Sequence, residues 1–235
     1  MSITAYECQD IIRDDPKSLI NWIIYIKALE NESFPIRQDV YKQALENLPR
    51  SYKIWLLYLH DFESYIQILQ SDKEQAIYPT NSIYQELNNA YELSLQHLPE
   101  CPILWKMFLQ HLLKQPQHIT YTRISFNRAL RILPITLHLK FIWPLYIQFA
   151  QKCPSTQTKL SIWKRYLLIA PEYLEDYIDL LVNLKQWDEA AKHYCDLLSR
   201  PNFVSKRANV SQYNLWTQFL NIVITISKLH FTRTC

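Results

Sequence analysis

Four carboxylates, Glu172, Glu175, Asp176 and Asp179, fall within eight residues, a grouping from which a paired acid and base could be assembled. They directly follow Pro171 at a predicted helix start, where the positive end of the helix dipole favours negative charge, and that role accounts for them without catalysis. Two pairs, His97 with Cys101 and His111 with His118, have spacings a metal ion could use. Pro99 and Pro116 interrupt the helices that would present them, and no companion ligand stands at metal spacing. Arg123, Arg128 and Arg131, with Asn127, form the best basic stripe, suited to an acidic partner or to RNA phosphate. Ile124 and Phe126 interrupt it, and a solvated helix face explains it as well. The seven tryptophans could stack bases, yet they recur at a fixed helical phase, the mark of packing between helices. No catalytic, cofactor-binding or metal site is expected, and a partner contact through the three arginines is the one binding role left open.

Composition narrows the chemistry further. The 235 residues contain no glycine. Phosphate-cradling loops, dinucleotide fingerprints, nucleophile elbows and EF-hand turns need a backbone that glycine alone adopts readily, so those functions are excluded. Two-residue hairpin turns suffer the same way, which counts against an antiparallel β protein. Apolar residues make up 49% and aromatics 14%, enough for a large core. Lys and Arg total 25 against 22 Asp and Glu, a formal +3 that selects no class of partner. The five cysteines (8, 101, 153, 195 and 235) lie 40 or more residues apart without a C-x-x-C pair, as expected in a reducing compartment. The N-terminal stretch has no basic start followed by an apolar run, and no membrane-spanning apolar window is present. A chain that is intracellular and free of membrane is expected.

The elements that must position these residues repeat. A Trp followed three residues later by Tyr or Phe recurs as Trp22/Tyr25, Trp55/Tyr58, Trp105/Phe108, Trp143/Tyr146 and Trp216/Phe219, with a weaker copy at Tyr177/Leu180. A second phrase alternates with it: YKQALENLP (Tyr41, Ala44, Pro49), YELSLQHLP (Tyr91, Pro99), FNRALRILP (Phe126, Ala129, Pro134) and WKRYLLIAP (Trp163, Pro171). From Pro16 to Trp22, Pro49 to Trp55, Pro99 to Trp105 and Pro171 to Tyr177 the step is six each time. Both phrases have helical spacing, and each proline ends a helix. Two helices per unit, stacked on neighbours, make an all-α solenoid. The approximate units are 8–49, 50–99 with an insertion at 64–82, 100–134, 135–171, 172–201 and an incomplete one at 210–226. Pro144 should start or kink its helix. The insertion is read either as a partner-docking element or as a spacer. The apolar face of 210–226 has no helix following it, so the chain is expected to be the N-terminal part of a longer protein or to be cut short at its C-terminus.

A Trp/Tyr first helix and an aromatic-x-x-Ala-Leu…Pro second helix resemble the half-a-TPR (HAT) repeat; the ordinary TPR is less similar because its first helix carries glycine. The stretches SYKIWLLYL, YQELNNAYELSL, RALRILPIT, IWPLYIQF, WDEAAKHY and FVSK…YNLW are similar, in register, to the N-terminal part of the SYF-one/XPA-binding-protein-two family of pre-mRNA-splicing factors. The Trp-Pro of IWPLY is the most specific point. The resemblance implies a right-handed α-solenoid of HAT repeats and a non-catalytic, nuclear scaffold of the Prp-nineteen-associated complex of the spliceosome. Its implied partners are a crooked-neck-like HAT subunit, a Myb-like subunit and other splicing proteins, with RNA contact weak or indirect and a link to transcription-coupled repair. An RNA-binding helical repeat, or a HAT scaffold of cleavage-polyadenylation or ribosome biogenesis, are the alternatives.

Overall fold

The computed structural model describes residues 5–71, 82–115, 117–199 and 212–234, and among these every regular element is helical. Two compact units are present, Met1–Leu145 and Tyr146–Cys235. The first holds α1 (Ala5–Asp14), α2 (Leu19–Ala28), α3 (Phe34–Asn47), α4 (Tyr52–Ser71), α5 (Ser82–His97), α6 (Pro102–Leu113) and α7 (Ile119–Ile132). Each of these helices packs on the next along the chain. A short α8 (Ile135–Leu137) then runs through a π-turn (His138–Ile142) into α9 (Trp143–Lys152). The second unit takes the rest of α9, α10 (Thr156–Leu167), a 3-10 turn (Pro171–Tyr173), α11 (Leu174–Asn183), α12 (Trp187–Leu198) and α13 (Gln212–Thr234).

The prolines stop the helices as their chemistry requires. The residue before each leaves the α region: Leu48 (φ −128°, ψ 61°), Leu133 (φ −78°, ψ 148°) and Ala170 (φ −131°, ψ 72°). The carbonyls that the prolines contribute are then used. Trp22, Trp55 and Trp105 each donate the indole N–H to the carbonyl of the proline six residues earlier, at 2.8, 2.9 and 2.7 Å. The constant step of six in the sequence is thus the reach of an indole, in the first turn of one helix, back to the turn that precedes it. A second regularity joins successive repeats. The aromatic of the second phrase meets the aromatic three residues after the next tryptophan, Tyr41 on Tyr58 (5.3 Å) and Tyr91 on Phe108 (5.4 Å), and Tyr194 of α12 meets Phe219 in the same way (6.1 Å). Ala44 and Ala129 are fully buried, where a larger side chain would hold neighbouring helices apart.

Two expectations are refined. The insertion begins as helix: α4 continues to Ser71, with Phe62 and Ile66 buried and Tyr65 stacked on Phe34 at 4.4 Å. Its remainder lies outside the described residues. Pro144 sits just inside α9, and the π-turn before it absorbs the register change that its missing N–H imposes.

Without glycine, one helix end has to put another residue in the left-handed region. Lys185 has φ 59° between α11 and α12. Gln186 N–H donates to Leu181 O (2.9 Å) and Lys185 N–H to Val182 O (3.0 Å), the bonding pattern of a Schellman cap.

Candidate partner-binding surface

The repeat residues face the interior. Trp22, Tyr25, Tyr41, Trp55, Tyr58, Tyr91, Trp105, Phe108, Phe126, Trp143, Tyr146 and Trp163 are all buried. Trp216 departs from them at 45% exposed, with Leu220 and Val223 exposed on the same side of α13. Bases cannot stack on the buried rings, so the tryptophans of α2, α4 and α6 are packing elements.

The basic stripe divides. Arg123 and Arg131 are exposed, whereas Arg128 turns inward onto α5. Its guanidinium forks onto the Glu92 carboxylate at 2.7 and 2.9 Å and lies over the Trp105 ring at 5.5 Å. The Tyr121 hydroxyl donates to the same carboxylate at 2.7 Å. Burial works to raise the Glu92 pKa, but Arg128 and Tyr121 outweigh it and hold the carboxyl below its ordinary value. A comparable brace between the first two repeats joins Arg37 of α3 to Asp61 of α4 at 2.8 and 2.6 Å and to the carbonyls of Glu30 and Glu32. These braces went unread in the sequence, since their partners lie 24 and 36 residues apart with no local pattern to mark them.

The histidine pairs come apart. His97 stacks on Trp55, while Cys101 is the residue before α6. His118 precedes α7, whereas His111 is buried in α6 with Nε2 between Asn88 Oδ1 (3.0 Å) and Gln115 Nε2 (2.7 Å). Glu63 approaches its other nitrogen at 3.8 Å, but burial dominates and Lys114 adds to it, so the imidazole pKa falls to about 4. Glu63 instead accepts the hydroxyl of Tyr91 at 2.7 Å. No group of three His, Cys, Asp or Glu able to hold a metal occurs among the described residues. Nor is any described helix long and apolar enough to cross a membrane. Glu175 and Asp176 occupy the first turn of α11, in keeping with a role at the helix dipole.

One groove of the first unit, about 700 Å³, lies between α3 and α5. It is walled by Leu45 and Glu46 on one side and Glu86, Leu93 and His97 on the other, above Trp55 of α4.

Residues 3–172 match the family model described as the pre-mRNA-splicing factor Syf1/CNRKL1 N-terminal HAT repeat, and residues 174–233 match the pre-mRNA-splicing factor SYF1 middle HAT repeat. The chain belongs to the Syf1 family. The junction between the two matches falls at the 3-10 turn of Pro171–Tyr173. Among Syf1 relatives, pre-mRNA-splicing factor syf1 of Aspergillus fumigatus is 40% identical over 226 residues, 96% of this chain and 26% of its own. Pre-mRNA-splicing factor cwf3 of Schizosaccharomyces pombe is 35% identical over 210 residues, 89% of this chain and 25% of its own. Pre-mRNA-splicing factor SYF1 of Homo sapiens is 34% identical over 202 residues, 86% of this chain and 22% of its own. The chain thus spans about a quarter of the length of these relatives.

Proposed function

We propose that this chain is a non-catalytic docking scaffold in pre-mRNA splicing, acting in the nucleus within the Prp-nineteen-associated assembly. The observation that carries the reading is the match, from residue 3 to residue 233, to two consecutive repeat models of one splicing factor. Geometry supports the non-catalytic part. The residues that composition made candidates for chemistry serve packing, capping or bracing: Glu175 at a helix start, His111 in a buried amide cage, Arg128 on Glu92. A repeat built this way presents surface, and its mechanism is to hold partners in fixed positions. The partners proposed are the crooked-neck-like HAT subunit, the Myb-like subunit and further members of that assembly, with Arg123 and Arg131 the two outward-facing cations of α7 available to an acidic segment.

The test is a pull-down of the tagged chain from nuclear extract, with and without nuclease, read by mass spectrometry. Recovery of those splicing subunits in both samples is expected. Loss of every partner after nuclease would replace the scaffold by an RNA-binding reading.

A further inference from the structure

The groove between α3 and α5 is built as two helical stripes facing each other. Gln38, Lys42, Leu45 and Pro49 line one wall at spacings of four, three and four; Glu86, Ala90, Leu93 and His97 line the other with the same steps. The α5 wall, helical from Glu86 to His97, is roughly 16 Å long, about three turns; the α3 wall is helical from Gln38 to Asn47, with Pro49 in the turn beyond it. The floor is Trp55 and Tyr58 of α4, whose polar atoms are already engaged. The indole N–H goes to Pro49 O, and the Tyr58 hydroxyl accepts from Gln38 at 3.1 Å. Both rings are nearly covered, Trp55 at 1% and Tyr58 at 5% exposed, so the apolar surface of the groove comes chiefly from Leu93, 46% exposed, with the edges of Leu45 and Ala90 beside it.

The rims carry the charge. Glu46 stands on the α3 side and Glu86 on the α5 side, and neither enters an ion pair among the described residues. Lys42 lies one turn before Glu46 on the same helix, so it offsets one carboxylate and leaves Glu86 unmatched. Nearby negative charge from Glu86 adds to the burial that raises the Tyr58 pKa, in keeping with a carboxylate directed at the groove. With Lys42 set against Glu46, the rims keep the negative charge of Glu86, which disfavours a phosphate backbone and favours a cationic peptide. An apolar trough three turns long, with acidic rims, suits one face of an amphipathic helix.

We propose that this groove docks an amphipathic, basic helical segment of another protein, its aliphatic face on Leu93 and the edges of Leu45 and Ala90 and its Arg or Lys side chains on Glu46 and Glu86. This deepens the scaffold reading by giving the chemistry of one partner, and it rests on that reading.

The experiment uses the 235-residue chain and fluorescein-labelled synthetic peptides of about four helical turns. One carries a leucine face flanked by arginines; a second carries the same leucines flanked by glutamates; a third is a scramble of the first. Fluorescence anisotropy should show saturable binding of the basic peptide, with the acidic one and the scramble at least about tenfold weaker. The double variant Glu46→Lys, Glu86→Lys, both at exposed positions, should melt like the parent, lose about tenfold for the basic peptide and gain affinity for the acidic one. Equal binding of all three peptides, binding unaffected by the charge reversal, or displacement of the peptide by a tighter-binding single-stranded oligouridine would each overturn the proposal. Nuclear-extract pull-downs with parent and double variant separate the two readings. The same splicing proteins on both would leave the scaffold standing and remove the groove from it. No splicing protein on the parent, with the peptide preference intact, would sink the scaffold reading while retaining the groove as a basic-helix site.

Discussion

The tryptophans of α2, α4 and α6 stand six residues after a proline, a place that Tyr177 takes in α11, where Trp163 of the second phrase packs beside it at 6.3 Å; the two groups are held differently. In the first group every indole N–H is spent on a proline carbonyl six residues back. In the second, the Trp163 indole N–H and the Tyr177 hydroxyl are buried with no hydrogen-bond partner. Tyr177 stands six residues after Pro171, as Trp55 does after Pro49, but a phenol projects its polar atom from the end of the ring and an indole from its side. Burial and the charge of Glu189 push the Tyr177 pKa up to about 12. The spacing is thus a hydrogen-bond constraint that only tryptophan meets. Where tyrosine takes the place, the packing survives and the bond does not, at a cost of about 1–3 kcal/mol for the buried orphan.

The largest test of that contrast is truncation of the repeat tryptophan at a locked site and at an open one. Trp55→Ala removes a fully packed ring and leaves Pro49 O without its donor, and should cost about 3–5 kcal/mol. Trp216→Ala, at a ring 45% exposed, should cost about 1 kcal/mol or less. Urea denaturation measures both, and equal midpoints would dissolve the distinction. Next comes the acid response of the first unit. His111 falls from 6.5 to about 4 on folding, so the unfolded chain takes up the proton first as pH drops. The stability held by the neutral imidazole is full above pH 6.5 and is lost progressively toward pH 4, by up to about 3 kcal/mol. His111→Gln should flatten the slope of stability against pH in that window while lowering stability at neutral pH. An unchanged slope would mean that some other group carries the acid sensitivity.

A smaller pair makes the same chemical deletion in both regions. Tyr91→Phe strips the hydroxyl that Glu63 accepts at 2.7 Å and should cost about 1.5–3 kcal/mol. Tyr177→Phe removes an unpartnered hydroxyl and should be neutral or stabilising by up to about 1 kcal/mol. Opposite signs in chemical denaturation are the expected result; destabilisation at both positions would show that the Tyr177 hydroxyl is paired in solution.

How much of this could be read from the chain follows from range. Periodicity and proline steps are local, so the helix pairs, their proline stops and the buried aromatic stripe were all visible as patterns in Trp22, Trp55 and Trp105. The step of six was visible too, although its cause, an indole reaching a carbonyl, needed coordinates. Arg128 shows the limit: on paper it joins Arg123 and Arg131 in one stripe, yet a rotation of 100° per residue places it on the flank that meets Glu92 of α5. No local rule marks a carboxylate 36 residues away as its partner. The helical start of the insertion was hidden for a different reason. Its first residues, SYIQIL, carry an apolar patch but fall outside both repeated phrases, and the burial of Ile66 with the contact of Phe62 and Tyr65 on Phe34 explains why α4 runs on to Ser71.

The smallest expected effect lies in the second region and returns to the missing glycine. Lys185 holds φ 59° at the C′ position of the α11 cap, where a side chain crowds the backbone and glycine would not. Glycine relieves that crowding but also frees the unfolded chain, which takes back part of the gain. The net for Lys185→Gly should be a stabilisation of about 0.5–1 kcal/mol, because both cap hydrogen bonds, to Leu181 O and Val182 O, are made by backbone N–H groups that the substitution leaves in place. The exposed lysine head forms no ion pair among the described residues, so no charge effect offsets the change. A raised denaturation midpoint with unchanged m-value is the expected signature. A lowered midpoint would mean that the left-handed geometry relaxes in solution, and that this repeat ends its helix by a route needing neither glycine nor strain.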